Sequence, residues 1–366
     1  MKKWLTRSIP LAIMSLSLNP ASLACTDFKL TAKDGTVLIT RSMEFGMAFN
    51  SNLRTSPRGR SFASTLQNGK QGLAWKNIYG YVYLDGLGQD ISFDGMNETG
   101  LTFEYLYLPG ETQYQTIPSG KENQALSYTQ FGDWVLGNFK TIDEVRQALK
   151  NIYLVQTLMP GLGNIVLPGH ASIYDSSGKG IVVEFYDNKI NVYDNIGIMT
   201  NSPKYDWHVN NLRNYLNLTP NNPNPVSVNG MTFSATGQGA GMVGLPGDVS
   251  PPSRFVKTAF LAKNAYPVNT ADDLLNLAQH IINNVDIPAG LARTTDNGKV
   301  STDTTQWVIF KDITHKILHY RTYNDMTIRT VAFDKLNFSE NAPRLKMPVS
   351  QQPLSVDMTD KFLNTK

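Results

Sequence analysis

Stretches in which apolar and polar residues alternate recur along the chain, and short turn sequences divide them. The first is CTDFKLTAKDGTVLITRSMEF, where two alternating runs flank the Asp34-Gly35 pair. DISFDGMNETGLTFEYLYL turns at 97–100, ASIYDSSGKGIVVEFYDNKINVYDN turns at 176–180 and 187–189, and QWVIFKDITHKILHYRTYNDMTIRTVAF reads as a meander near the C-terminus. A period of two with turn residues between the runs predicts β-hairpins. The pattern therefore predicts several groups of antiparallel strands.

Between these hairpins the apolar residues recur at helical spacing. The predicted helices cover 124–138, 142–150, 271–284 and a segment that begins near Ser253. Thr141 and Glu144 have the spacing of a capping box, and Asp273 has the same spacing from Thr270. Hairpins in runs and helices in pairs predict the α+β class, with antiparallel sheets covered by helices, and disfavour alternating βαβ units.

The first 24 residues follow neither pattern. Three basic residues precede the apolar run IPLAIMSLSL, and the small residues Ser22 and Ala24 follow it, as in a secretory signal peptide. The run is only about half as long as a membrane-spanning helix requires, and no later stretch comes closer, so no membrane span is predicted. We expect cleavage before Cys25, a periplasmic or secreted product, and a single domain over 25–366.

The charge of the mature chain excludes one class of function. Residues 1–24 carry three of the 33 basic residues and none of the 30 acidic ones, so residues 25–366 carry 30 of each. A chain with balanced charge lacks the basic excess that neutralises phosphates, so we do not expect it to bind nucleic acid.

Cys25 is the only cysteine of the chain and cannot form an intramolecular disulfide. It could be an inert buried thiol. It could be a lipid anchor, although Ser22 and Leu23 depart from the usual lipobox. It could also be a nucleophile at the new N-terminus, where the free α-amine, with a pKa of about 8, would act as general base for its own thiol. Its position leaves all three interpretations open.

The hairpin brings two charged residues back to Cys25. Arg41 and Glu44 lie near the end of the return strand, opposite the start of the first strand. Arg41 could stabilise a thiolate, and Glu44 could orient the α-ammonium. A solvated ion pair at the end of a strand is the alternative.

Two later segments offer further polar candidates. Asn201 ends an extended run before Ser202-Pro203, where its amide could donate to an oxyanion or could serve only as a turn former. GQGAGMVGLPG has glycines at G-x-G-x-x-G spacing, but its proline and the lack of a βαβ unit predict a special loop instead of a dinucleotide site. Ser253 is expected to cap the next helix. Arg254 in its first turn would oppose the helix dipole, which predicts an acidic partner or substrate.

Jointly these segments resemble the choloylglycine hydrolases, a family of N-terminal nucleophile hydrolases that includes bile salt hydrolases and penicillin V acylases. The resemblance runs from Cys25 to the last strands and rests on ACTDF, DGTVLITRSMEF, DGMNETGL, TNSPKYDWHVNNL and GQGAGMVGLPGDVSPPSRF. It implies an αββα sandwich, hydrolysis of a non-peptide amide, and a homotetramer. No cofactor or metal is expected, and His315 and His319 lack the H-E-x-x-H frame.

The resemblance also implies roles for single residues. Cys25 is similar to the family's nucleophile, Arg41 to the arginine beside the thiol, Asn201 to the oxyanion-hole asparagine and Arg254 to the arginine of the charge network. Tyr107 matches the second oxyanion position, which contributes a backbone N–H.

Two of these positions bear on selectivity and geometry. Bile salt hydrolases commonly have asparagine at the position of Tyr107, whereas some penicillin V acylases have tyrosine. Glu44 stands where the family usually has aspartate, one methylene shorter.

The expected substrate is therefore a small amide with an apolar or aromatic acyl group, which the aromatic residues Phe103, Tyr105 and Tyr107 would suit. The sequence favours penicillin V acylase-like activity, with conjugated bile salts and N-acyl homoserine lactones as alternatives. An exported precursor fits a Gram-negative enzyme. A lipoprotein acylated at Cys25 that binds such molecules without cleaving them is the alternative from another class.

Overall fold

The computed structural model describes residues 24–159, 165–296, 298–349, 356 and 358–363, so the predicted signal peptide lies outside the described residues except for Ala24. The strands of these ranges are β1 (Cys25–Thr31), β2 (Val37–Phe45), β3 (Asn52–Ser56), β4 (Ser61–Thr65), β5 (Gln71–Lys76), β6 (Tyr81–Gly86), β7 (Gln89–Asn97), β8 (Thr102–Tyr107), β9 (Ala125–Ser127), β10 (Tyr153–Val155), β11 (Gly169–Tyr174), β12 (Gly180–Tyr186), β13 (Lys189–Asp194), β14 (Ile198–Met199), β15 (Val226–Val228), β16 (Met231–Phe233), β17 (Ala292–Asp296), β18 (Lys299–Asp312), β19 (Ile317–Thr322), β20 (Asp325–Ala332) and β21 (Lys346–Pro348).

The helices of the same ranges are α1 (Phe131–Asn138), α2 (Ile142–Leu149), α3 (Tyr205–Asn211), α4 (Pro251–Asn264), α5 (Ala271–Ile282) and α6 (Thr359–Leu363). Short 3-10 helices cover Glu122–Gln124, Tyr128–Gln130, Leu212–Tyr215, Ala240–Met242 and Phe333–Lys335. None of the described helices is long and apolar enough to cross a membrane.

Two antiparallel sheets form the centre of the molecule. Sheet 1 has the order β14-β1-β2-β18-β19-β20, with β17 paired to the beginning of β18. Sheet 2 has the order β13-β12-β11-β8-β7-β6-β3-β21. The inner faces of the two sheets meet, with β1 against β8, while α4 and α5 cover sheet 1 and α1 covers sheet 2. The predicted αββα sandwich is therefore confirmed.

Burial along β2 shows why the site lies where it does. Every residue of VLITRSMEF is buried, because one face of the strand packs against sheet 2 and the other packs under the helices. Polar side chains on such a strand must find partners inside the protein. Arg41 and Glu44 are therefore held within the molecule on opposite faces of sheet 1.

The predicted hairpins and two of the predicted helix starts are confirmed. The Asp34-Gly35 turn joins β1 and β2, and the turn at 97–100 joins β7 and β8. Thr141 and Glu144 form the predicted capping box at the start of α2. Thr270 accepts a hydrogen bond from the backbone N–H of Asp273 at the start of α5.

Two details of the helix prediction are wrong. The predicted helix 124–138 is helical as α1 only from Phe131, because Ala125–Ser127 pairs in parallel with β10 and buries its short apolar run as a strand. Helix α4 begins at Pro251, and its N-cap is Ser250 instead of Ser253. A proline suits the first position of a helix, where an N–H has no partner, and Ser253 instead donates to Asp248 Oδ2 at 2.7 Å.

Candidate active site

Cys25 lies at the start of β1 with its thiol on the inner face of sheet 1. In the register of β1 and β2, Cys25 pairs with Met43 and Asp27 with Arg41, so these side chains share one face. The Sγ atom lies 3.4 Å from Arg41 Nη2 and 3.9 Å from Met43 Sδ. Only 1% of Cys25 is exposed. The hairpin thus brings Arg41 to the thiol as its pattern predicted.

Arg41 crosses from sheet 1 to sheet 2. Its guanidinium donates to the carbonyl of Tyr105 at 2.7 Å and lies 3.2 Å from Asp94 Oδ2. The guanidinium carbon also lies 5.1 Å from the centre of the Trp307 ring. Burial lowers the pKa of Arg41, but Cys25 and Asp94 together raise that pKa above its ordinary value. Arg41 therefore keeps its positive charge beside the thiol.

The thiol itself is not ionised by this charge. Burial raises the pKa of the Cys25 thiol, and the opposing effect of Arg41 is smaller. In the chain described, in which Cys25 N is bonded to Ala24, Arg41 thus lowers the pKa of the thiol without offsetting the effect of burial. A base is needed to take the proton.

Glu44 lies on the other face of sheet 1, which the helices cover. Its Oε1 accepts a hydrogen bond from the Thr305 hydroxyl at 3.0 Å, and its backbone N–H donates to the carbonyl of Ala24 at 2.9 Å. Burial raises the pKa of Glu44 to about 7, although Arg254 lowers it. The Glu44 carboxyl thus lies on the helix-covered face of sheet 1, whereas Arg41 and the Cys25 thiol share the inner face.

Arg254 binds the main chain at the start of β1. Its guanidinium donates to the carbonyl of Cys25, to the Thr26 hydroxyl at 2.6 Å, and to Asn201 Oδ1 at 2.7 Å, while its Nε donates to the carbonyl of Val249 at 2.9 Å. The predicted acidic partner is therefore not a direct one, because the hydrogen-bond acceptors are neutral oxygens. Burial lowers the pKa of Arg254, with a raising effect from Glu44 at longer range.

Asn201 links these groups. Its Oδ1 accepts from the Cys25 N–H at 2.7 Å, and its Nδ2 donates to the carbonyl of Tyr107 at 2.8 Å. An amide nitrogen has two hydrogens, so one remains for a substrate oxygen. The resemblance implies that the backbone N–H of Tyr107 would donate to the oxyanion. In the structure, the carbonyl of Tyr107 is the group that contacts Asn201.

Two buried histidines hold the backbone on either side of that amide. His170 Nε2 lies 2.9 Å from the Thr200 carbonyl, and His208 Nε2 lies 2.8 Å from the Asn201 carbonyl. Burial lowers the pKa of His208 to about 4, so its ring is neutral at ordinary pH and donates from Nε2. The turn that positions Asn201 is thus fixed by side chains that sequence reasoning had not assigned to the site.

Sequence reasoning also missed a buried ionic cluster behind Arg41. Lys311 Nζ lies 2.5 Å from Asp94 Oδ1 and 2.7 Å from Glu104 Oε1, with all three side chains fully buried. Asp27 lies nearby and accepts from the Ser172 and Tyr174 hydroxyls. The available signal was a lysine within the apolar strand sequence QWVIFKD, where an unpaired charge would be costly.

A cavity of about 680 Å³ opens at the same end of the sandwich as Cys25. It is lined by residues 45–52, from the last residue of β2 onward, and by parts of β18, including Thr305 and Trp307. Thr305 is the partner of Glu44, and Trp307 lies over Arg41, so the cavity adjoins both faces of the site. Among the residues that the structure describes, no group of three or more acidic, histidine or cysteine side chains could hold a metal ion.

A buried thiol at the start of a strand thus lies between two antiparallel sheets and beside an asparagine amide. The family of linear amide C–N hydrolases, choloylglycine hydrolase family, matches residues 25–348. The chain belongs to this family, which confirms the resemblance seen in the sequence.

Its relatives include enzymes with different named substrates. A bile salt hydrolase/transferase of Clostridium perfringens is 36% identical over 324 residues, which are 87% of this chain and 94% of that protein. A penicillin V acylase of Pectobacterium atrosepticum is 31% identical over 269 residues, which are 70% of this chain and 65% of that protein. A crystal structure of a conjugated bile acid hydrolase variant from Clostridium perfringens matches with a TM-score of 0.79 and 33% identity, over 91% of this chain and 99% of that one.

Proposed function

We propose that Cys25 is the nucleophile of this linear amide hydrolase and that its α-amine is the base, once the residues before it are removed. One observation supports this above the others. Asn201 contacts the Cys25 nitrogen, Arg254 and the strand end at Tyr107, next to the only thiol of the chain. Nucleophile, base and oxyanion donor therefore meet at one strand terminus.

The reaction follows from this arrangement. The α-amine takes the proton of the Cys25 thiol, and the thiolate attacks the carbonyl carbon of the substrate amide. The second Nδ2 hydrogen of Asn201 and the N–H of Tyr107 stabilise the oxyanion. As the C–N bond breaks, the α-ammonium gives its proton to the departing nitrogen and leaves a thioester on Cys25. Water, deprotonated by the same amine, then hydrolyses the thioester and releases the acid.

For the acyl group we propose an aromatic or extended apolar chain, with penicillin V as the first substrate to test. Tyr107 supports this choice, since some penicillin V acylases have tyrosine at that position. Conjugated bile salts are the second candidate, because a 36% identical relative is named a bile salt hydrolase/transferase. N-acyl homoserine lactones complete the panel.

A pair of chains that differ by one residue tests the catalytic amine. One chain begins at Ala24 and the other at Cys25, with both N-termini verified by intact mass. Both should fold alike, because Ala24 already packs in the structure with its carbonyl bonded to Glu44. We expect hydrolysis only by the chain that begins at Cys25. Equal activity of the two chains would reject the α-amine as base.

We also propose export, cleavage before Cys25 and assembly as a homotetramer. The N-terminal sequence and intact mass of the protein from a periplasmic fraction test the first two, and light scattering tests the third. A diacylglycerol mass on Cys25, or processing that is blocked by globomycin, would instead support the lipoprotein interpretation.

A further inference from the structure

Lys311 is a fully buried lysine that none of the catalytic steps uses. It lies on β18 and points to the inner face of sheet 1, where it reaches two carboxylates of sheet 2. Burying an ammonium group is costly unless it is paired. Its partners Asp94 and Glu104 lie on β7 and β8, beside the Phe93 and Tyr105 carbonyls that Arg41 contacts.

Asp94 is shared between two cations. Its Oδ1 lies 2.5 Å from Lys311 Nζ, and its Oδ2 lies 3.2 Å from Arg41 Nη1. The shorter contact belongs to Lys311, so the carboxylate is attracted more strongly to Lys311 than to Arg41. The other end of the guanidinium, Nη2, lies 3.4 Å from Cys25 Sγ.

We propose that Lys311 is a positioning residue, which compensates the charge of Asp94 so that the Arg41 guanidinium remains available to the Cys25 thiolate. Without Lys311, the full charge of Asp94 acts on Arg41 and weakens its attraction for the thiolate. Without the charge of Asp94, Arg41 has the thiolate as its main counter-ion. The two losses therefore act on the thiol in opposite directions.

Other charged groups surround this chain of contacts. Arg41, Glu44 and Arg254 act on the Cys25 thiol. Asp94 and Glu104 act on Lys311, and Lys311 in turn lowers the pKa of Asp27, which burial raises to about 6. Burial also raises the pKa of Glu104 to about 8, again against Lys311. Each of these groups is present in every variant described below, except in the variant that replaces it.

The pH dependence of alkylation by iodoacetamide measures the effect, because Cys25 is the only thiol of the chain. In a chain that begins at Cys25, Lys311→Met should raise the alkylation midpoint by about one pH unit and slow alkylation about tenfold at pH 7. Asp94→Asn should lower the midpoint by a similar amount. Lys311→Arg should keep the midpoint near that of the unsubstituted chain.

Lys29→Met is the matched control. Lys29 is half-buried on β1, about 13 Å along the strand from Cys25, and its ammonium donates to the Gly178 carbonyl at 2.6 Å. Its replacement should leave the midpoint unchanged. A purely structural role of the cluster would shift Lys311→Met and Asp94→Asn in the same direction, and that result would overturn the proposal.

The test remains decisive if Lys311→Met does not fold. Glu104→Gln leaves Asp94 as the one carboxylate in ion-pair contact with Lys311 among the described residues, so the midpoint should fall, though less than in Asp94→Asn. An unchanged or raised alkylation midpoint in both Glu104→Gln and Asp94→Asn would contradict the proposal. The inference rests on the proposed function only in treating Cys25 as the nucleophile. Since alkylation needs no amide substrate, opposite shifts in a chain that hydrolyses nothing would uphold this inference while rejecting the hydrolase mechanism.

Discussion

Arg41 and Arg254 are two fully buried arginines that flank the same cysteine, and their surroundings differ. Arg41 lies on the inner face of sheet 1 between a carboxylate and the thiol, and its pKa is raised. Arg254 lies on the helix side, binds neutral oxygens, and has a pKa lowered by burial. The first therefore acts mainly through its charge, and the second mainly through the geometry that it imposes on Cys25 and Asn201.

The largest effect should come from the residue between the two arginines. Cys25→Ser removes the thiol and should reduce hydrolysis at least about 1,000-fold. Folding should be retained, because the hydrogen-bond contacts of Sγ within the described residues are the two long ones with Arg41 and Met43. Turnover of penicillin V and of a conjugated bile salt checks this, with the N-terminus verified by mass. Undiminished turnover by a correctly processed variant would reject the nucleophile.

Arg254→Lys and Arg254→Met should reduce kcat to a similar extent. A lysine ammonium cannot reproduce the planar fork that reaches Cys25, Thr26 and Asn201 together. We expect kcat to fall about 100-fold or more in both variants, because the oxyanion donor loses its support. Substantial recovery with lysine would show that charge, and not geometry, is what Arg254 supplies.

Arg41→Lys should behave differently from Arg41→Met. A lysine retains the charge, so the pKa of the thiol should change little, whereas methionine should raise that pKa by one to three units, that is, slow the reaction about tenfold or more at neutral pH. The alkylation midpoint of Cys25 measures this directly. Equal midpoints in the two variants would contradict an electrostatic role for Arg41.

The smallest expected effect is a pH dependence of stability that comes from Glu44, on the helix-covered face of sheet 1. The pKa of Glu44 is about 7 in the folded chain against 4.5 as its ordinary value. Between these values the unfolded chain has lost a proton that the folded chain keeps, so stability falls as the pH rises through this window. Relative to Glu44→Gln, the free energy of unfolding should drop by about 3 kcal/mol between pH 4.5 and pH 7.

Chemical denaturation of chains that begin at Ala24 measures this difference, because that start keeps Cys25 N as the amide of the structure. The other buried carboxyls are common to both chains and cancel. A difference that stays constant with pH would show that the pKa of Glu44 is not raised in the folded chain.

The sequence allowed much of this arrangement to be predicted where it depends on local pattern. The period of two and the Asp34-Gly35 turn place Arg41 and Glu44 beside Cys25. The same alternation also predicts that Arg41 and Glu44 lie on opposite faces of the sheet, because they are an odd number of residues apart on one strand.

Other features depend on how distant segments pack. The contact of Lys311 with Asp94 joins residues 217 positions apart, across two sheets, and no local pattern specifies it. The carbonyl contacts of Arg254 likewise require α4 to lie over the start of β1. The helix predicted over 124–138 was wrong at its beginning, because a short buried segment such as Ala125–Ser127 fits a strand pairing as well as a helical face.

The bond between Ala24 and Cys25 lies inside the folded chain. Both residues are buried, and the Ala24 carbonyl is paired with the backbone of Glu44. A protease requires an extended, accessible segment around the bond that it cuts. On the proposal that a leader is cut off before Cys25, the cut must therefore precede the pairing of β1 with β2, because a chain that folds first would keep the Cys25 nitrogen in a peptide bond and could not be activated.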